Sequence, residues 1–149
     1  MPIGEICNRE VVVMKKKDSI LEAAKLMRDY HVGNVVVVEE KEGQVIPVGI
    51  LTDRDIVVEL IAKNVPLDSV FAEDVMSSDL ASVSENRGIW DTIKCMREKG
   101  IRRIVVTGDK GNLVGVLSGD DLIDILSGEL SDLVKTFMRE QSREKETRG

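Results

Sequence analysis

Gly49-Ile50-Leu51-Thr52-Asp53-Arg54-Asp55 and Gly115-Val116-Leu117-Ser118-Gly119-Asp120-Asp121 share one pattern: glycine, two apolar residues, a hydroxyl residue, two variable positions, then aspartate. The two stretches lie 66 positions apart. Upstream of each the likeness continues. Ile20, Met27, Val32 and Val36 fall on Ile89, Met96, Ile101 and Val105 at a spacing of 69. Self-similarity of this kind marks a repeated supersecondary unit. The change of spacing puts three extra residues in the first copy, expected in the turn near Glu42-Gly43-Gln44, where insertions are best tolerated.

Each copy reads in the same order. A short extended segment comes first, Val11–Met14 or Ala81–Val83. Ile20, Ala23, Ala24 and Met27 then recur at i, i+3, i+4 and i+7, the signature of one helix face, and Ile89, Ile93 and Met96 repeat it. Asp18 or Ser19, and Ser84 in the second copy, are the candidate caps. The β-branched runs Val35–Val38 and Ile104–Val106 predict buried strands, followed by second strands over Pro47–Leu51 and Leu113–Leu117. A closing helix starts near Asp53 or Gly119. The order β-α-β-β-α, twice, predicts an α+β fold of two small sheets with helices on one face, packed sheet to sheet about a pseudo-two-fold. Neither unit of roughly 60 residues would bury enough surface alone. Residues 4–66 and 70–128 are the expected domains, with a linker over Lys63–Glu73. A helix with the apolar face Leu130, Leu133, Val134 and Phe137, then a frayed charged tail over Arg139–Gly149, makes up residues 129–149.

The duplicated junction is where chemistry concentrates. The glycine permits close backbone approach. The hydroxyl sits where the helix starts, and the aspartate three residues later lies in its first turn. Together with free N–H groups they make a helix N-terminus that favours an anion. A carboxylate beside it can accept from the vicinal hydroxyls of a ribose. The competing explanation is a capping box with an aspartate in its third position. Recurrence at equivalent places of a repeat favours a ligand site, with capping bonds expected as well.

The net charge of −6 argues against general nucleic-acid binding, which depends on an excess of lysine and arginine. One histidine and two distant cysteines, Cys7 and Cys95, offer no zinc cluster and predict reduced thiols. No stretch is long and apolar enough for a membrane span or a signal peptide, so a cytoplasmic setting is expected. His31 reads as a helix-end residue, and Trp90 as partly buried core or dimer surface.

The duplicated unit ending in these junctions resembles the CBS domain pair, or Bateman module, over about residues 4–128. The resemblance implies a regulatory sensor that binds an adenine nucleotide (AMP, ADP or ATP) in the cleft between the motifs, with no catalysis and no catalytic cofactor. It implicates Thr52 and Asp55 at one site and Ser118 and Asp121 at the other, the aspartates on ribose and the hydroxyls near phosphate. The adenine pocket carries over to Val11–Val13, Val48, Ala81–Val83 and Val114, thus Val11, Val13, Ala81 and Val83 among them. Basic residues before the middle strand hold phosphate in such proteins. Arg102 and Arg103 fill that place in the second copy, whereas Gly33 and Asn34 stand there in the first. Arg54 adds a cation at the first junction, and Asp120 a repelling charge at the second. The site of Thr52, Arg54 and Asp55 is therefore expected to bind more tightly. The resemblance further implies a homodimer through helices, here the faces Ile20–Met27, Ile89–Met96 and Ile56–Ile61, and leaves room for a regulated partner protein. A dimerisation scaffold with an empty cleft, or a binder of S-adenosylmethionine or NAD, are the alternatives. No catalytic constellation or P-loop supports an enzyme.

Overall fold

The computed structural model describes residues 1–148. Residues Met1–Leu117 make one compact unit, and the chain from Ser118 onward makes another. Two three-stranded sheets carry the repeat. The first has the order β1 (Val13–Lys15), β2 (Asn34–Lys41), β3 (Gln44–Thr52), and the second β4 (Ser82–Ser84), β5 (Arg103–Thr107), β6 (Leu113–Ser118). β1 runs parallel to β2, and β4 to β5, each across a connecting helix: α1 (Ile20–Tyr30) or α4 (Ile89–Lys99). β2 and β3 are antiparallel.

The three extra residues of the first copy lengthen its hairpin rather than its turn. β2 and β3 are joined by only Glu42 and Gly43, both at positive φ (51° and 78°). That is the handedness a two-residue hairpin needs. The register slips between Val37 and Val38, a bulge that absorbs part of the insertion.

Ser19 caps α1, its hydroxyl accepting from Glu22 N–H at 3.2 Å, while the Asp18 carboxylate accepts from Lys15 N–H. Ser84 does not cap α4. That helix starts one turn later at Gly88, without a side-chain cap, and the Ser84 hydroxyl accepts from Asn86 N–H instead. α1 ends at His31 in the left-handed region (φ 54°), and α4 ends at its counterpart Gly100 (φ 63°). Ile20, Ala23 and Met27 of α1 pack on Met14, Val35, Val37 and Leu51 of the sheet, closed by Ile56 and Leu60. Full burial of each large aliphatic stabilises by about 1.5–3 kcal/mol. Strand alternation turns Val36 and Val105 the other way, yet they are as deeply buried, so each sheet is covered on both faces.

The linker is ordered. Val65, Leu67 and Val70 pack on the first core, and a short helix α3 (Ala72–Val75) follows a tight turn over Leu67–Ser69. Its path exposes a reciprocal exchange. The strap Phe71–Ser77 bonds to the first motif: Ala72 N–H to Asp18 O, Glu73 N–H to Lys16 O, and Ser77 paired with Ile50. The strap Pro2–Asn8 bonds to the second motif at the equivalent places: Ile3 N–H to Arg87 O, Gly4 N–H to Glu85 O, and Asn8 paired with Val116. Each motif is thus completed by the segment that leads into the other.

The helices expected to leave apolar surface do so only in part: Val57 and Ile61 are more than half exposed, and Leu21 and Val58 are exposed beside the expected faces. Ile20, Met27, Ile56, Leu60, Ile89 and Met96 are all buried. Trp90 is not core, at 71% exposed. The closing helix of the second copy and the expected separate C-terminal helix are one element, α5 (Gly119–Arg148), which continues through the expected frayed tail. No proline interrupts it, and its one internal glycine, Gly128, costs only about 1 kcal/mol.

Candidate ligand site at the sheet-to-helix junctions

β3 delivers Thr52 to the start of a helix. Asn34 pairs with Thr52 and Val36 with Ile50, so Thr52 shares the sheet face of Val36, away from α1. The helical turn α2 (Asp53–Asp55) begins there and widens into a π-helical stretch over Ile56–Ile61. Such wide turns are uncommon and frequent at functional sites. Thr52 and Asp55 bond reciprocally: Asp55 N–H donates to Thr52 Oγ1 at 3.1 Å, and Thr52 N–H to Asp55 Oδ2 at 2.9 Å. The second junction repeats this, with Asp121 N–H to Ser118 Oγ at 3.1 Å and Ser118 N–H to Asp121 Oδ2 at 3.2 Å. Both are capping boxes. Each engages one oxygen of its aspartate, leaving Oδ1 to accept from another group.

The junctions differ in exposure and charge. Thr52 and Asp55 are half-buried, whereas Asp121 is exposed. Arg54 is exposed beside the first box. Sequence reasoning overlooked Asp53. Its carboxylate accepts from Arg54 N–H at 2.8 Å, its own N–H donates to Gly33 O, and a Cβ on Gly33 would stand 3.2 Å from Asp53 Oδ2. The first junction therefore also carries two aspartates, and Arg54 alone distinguishes its charge from that of the second. The spacing of Gly33 and Asp53 about the β2–β3 hairpin was the available signal.

Gly49 and Gly115 are the close-approach positions, and the approaching group is the exchanged strap. A Cβ on Gly115 would lie 2.6 Å from Asn8 O and 2.7 Å from Cys7 Sγ. One on Gly49 would collide with the side chain of Met76, the counterpart of Cys7. Burial raises the Cys7 thiol above its ordinary pKa, and both cysteines are free.

The apolar candidates are dispersed. Val11 and Val13 line a cavity of about 510 Å³ with Asn8, Glu10, Val12, Leu26, Tyr30 and Val32. Thr52, Arg54 and Asp55 are not among its lining residues. Val48 sits in the β3 bulge and packs on the α1 side of the sheet. In the second motif Ala81 O accepts from Val105 N–H, Val83 is buried in β4, and Val114 is half-buried in β6. Arg103 opens β5 half-buried, and Arg102 precedes it exposed. Arg103 is the repeat counterpart of Asn34, the residue across from Thr52. Among the described residues no three His, Cys, Asp or Glu converge as a metal site, and no helix is long and apolar enough to cross a membrane.

Two α+β motifs, each a three-stranded sheet followed by a capped helix, define a duplicated two-sheet module. The chain belongs to the CBS domain family, which matches residues 3–62 and 72–128 as a tandem pair. It is 32% identical over 141 residues to the uncharacterized protein MK0525 of Methanopyrus kandleri, spanning 93% of this chain and 70% of that one. It is 33% identical to the CBS domain-containing protein YhcV of Bacillus subtilis, over 94% of this chain and 96% of that one. Among solved structures, the CBS domain protein PAE2072 from Pyrobaculum aerophilum, complexed with AMP, superposes with a TM-score of 0.73 at 29% identity. The superposition covers 82% of this chain and 90% of that one.

Proposed function

We propose that this CBS pair is a non-catalytic sensor for an adenine nucleotide, with residues 4–66 and 70–128 as its two repeats. The observation that carries this is the Thr52–Asp55 junction: a half-buried reciprocal box at a helix N-terminus, with a carboxylate oxygen left over and a cation, Arg54, alongside. The N–H groups and Arg54 suit phosphate, and Asp55 suits ribose hydroxyls. Val11 and Val13 suit the base. By their place in the repeat, Ser118 and Asp121 mark a second junction of different affinity, which lacks a counterpart of Arg54; Arg102 and Arg103 precede the middle strand of the same repeat. The AMP bound to the Pyrobaculum aerophilum relative supports the adenosyl class, and AMP, ADP and ATP are the ligands we favour. A homodimer and a regulated protein partner complete the proposal, and a cytoplasmic setting suits two free thiols.

Calorimetric titration of the full chain with AMP, ADP, ATP, NAD and S-adenosylmethionine tests it. We expect saturable binding of an adenine nucleotide. Asp55→Ala should weaken that binding about tenfold or more, the effect of one lost hydrogen bond to a charged group. Asp121→Ala should weaken the major site less. Binding by none of the five at millimolar concentration would leave the scaffold alternative standing. An Asp55→Ala chain that is folded by circular dichroism and binds like the parent would remove the site assignment.

A further inference from the structure

The α5 helix carries an apolar stripe that the described residues leave exposed. Ile123, Leu126, Leu130, Leu133 and Phe137 recur at alternating steps of three and four, the a and d positions of a heptad seam. Ile123, Leu130, Leu133 and Phe137, with Val134 and Met138 beside them, are between 50% and 65% exposed. An apolar helix face of this kind is stabilised chiefly by packing against a partner.

Charge along the helix says which partner. Residues 119–134 hold five acids, Asp120, Asp121, Asp124, Glu129 and Asp132, and no base. Residues 135–148 hold five bases, Lys135, Arg139, Arg143, Lys145 and Arg148, against three glutamates. The helix dipole favours acids early and bases late, but only over the first and last turns. This segregation runs through all 30 residues of the helix. Two parallel copies would set acid against acid. Two antiparallel copies set each acidic half against the other's basic half, with the leucines meeting in the middle.

We infer that α5 is a self-association surface: a second copy of this chain docks antiparallel on the Ile123–Phe137 stripe. The two-fold axis passes between Leu130 and Leu133, so one patch serves both protomers. The inference rests on the homodimer proposed above and gives it a surface.

Sedimentation velocity of the full chain and its variants tests it. The parent should run as a dimer, and Leu130→Glu with Leu133→Glu as a folded monomer. Lys135→Glu/Arg139→Glu/Arg143→Glu alone, and Asp124→Lys/Glu129→Lys/Asp132→Lys alone, should each be monomeric, while their mixture should dimerise. Restoration on mixing excludes misfolding as the cause. In a chain carrying Cys7→Ala, Cys95→Ala and Ser142→Cys, spin labels at position 142 should lie about 30 Å apart when antiparallel, from 1.5 Å of rise per residue. A separation near 10 Å, the spacing of two helix axes, would mean a parallel pair and overturn the inference. A dimer that survives both leucine changes would overturn it while sparing the homodimer. A monomeric parent at high concentration would overturn both.

Discussion

A glycine inside a strand is a small object, but Gly115 holds two distant parts of the chain in register. The Asn8 carbonyl it admits also accepts from Val116 N–H. A methyl group there must displace backbone, whereas at Gly49 it meets the flexible side chain of Met76. We therefore expect Gly115→Ala to cost about 1–3 kcal/mol, the range for overpacking, and Gly49→Ala to cost less, as read by urea denaturation. Surface ion pairs matter far less. Lys16 and Glu39 meet at 2.8 Å; the hydrogen bond between them raises the lysine pKa and lowers that of the glutamate. Their contribution is present across neutral pH. It fades in acid as pH falls through the lowered glutamate value, and in alkali as pH rises through the raised lysine value. Exposure and salt keep it small. Much of this scale was legible beforehand. The hydroxyl–aspartate boxes formed as the spacing required, because capping is local. Asp53 was missed because its partner Gly33 lies across a hairpin, and the side of the sheet to which Val48 turns was not readable because a bulge cannot be located from alternation alone.

Among the elements, α1 and α4 are repeats that begin differently. The Ser19 cap should make Ser19→Ala cost about 1 kcal/mol. Ser84→Ala should cost clearly less, since its hydroxyl serves a turn rather than the helix. Thermal or urea unfolding of the two variants side by side checks the contrast. Strand order and helix faces were readable from periodicity, since burial alternates with a period of two or 3.6. The length of α5 was not readable. A charged run looks like a solvated tail until backbone continuity shows otherwise, and in α5 no helix breaker intervenes.

At the scale of the molecule the exchanged straps dominate. Backbone hydrogen bonds carry them, and backbone groups are the same at every residue, so no side-chain pattern announced the pairing. Only the two tight glycines hinted at something passing close. Removing residues 1–8 should loosen the second motif more than the first. Hydrogen exchange followed by mass spectrometry should show β6 losing protection, and in the intact chain Cys7 should alkylate only as fast as β6 exchanges. If the truncated chain protects both motifs equally, the strap is dispensable. The exchange also dictates a timetable during synthesis. The first motif can close once Ser77 has left the ribosome, because its strap follows it directly. The segment Pro2–Asn8 must wait, with Cys7 uncovered, until Val116 is made more than a hundred positions later. At translation rates of about 5–20 residues per second, that is a delay of several seconds or more in which this strap is open to chaperones and oxidants.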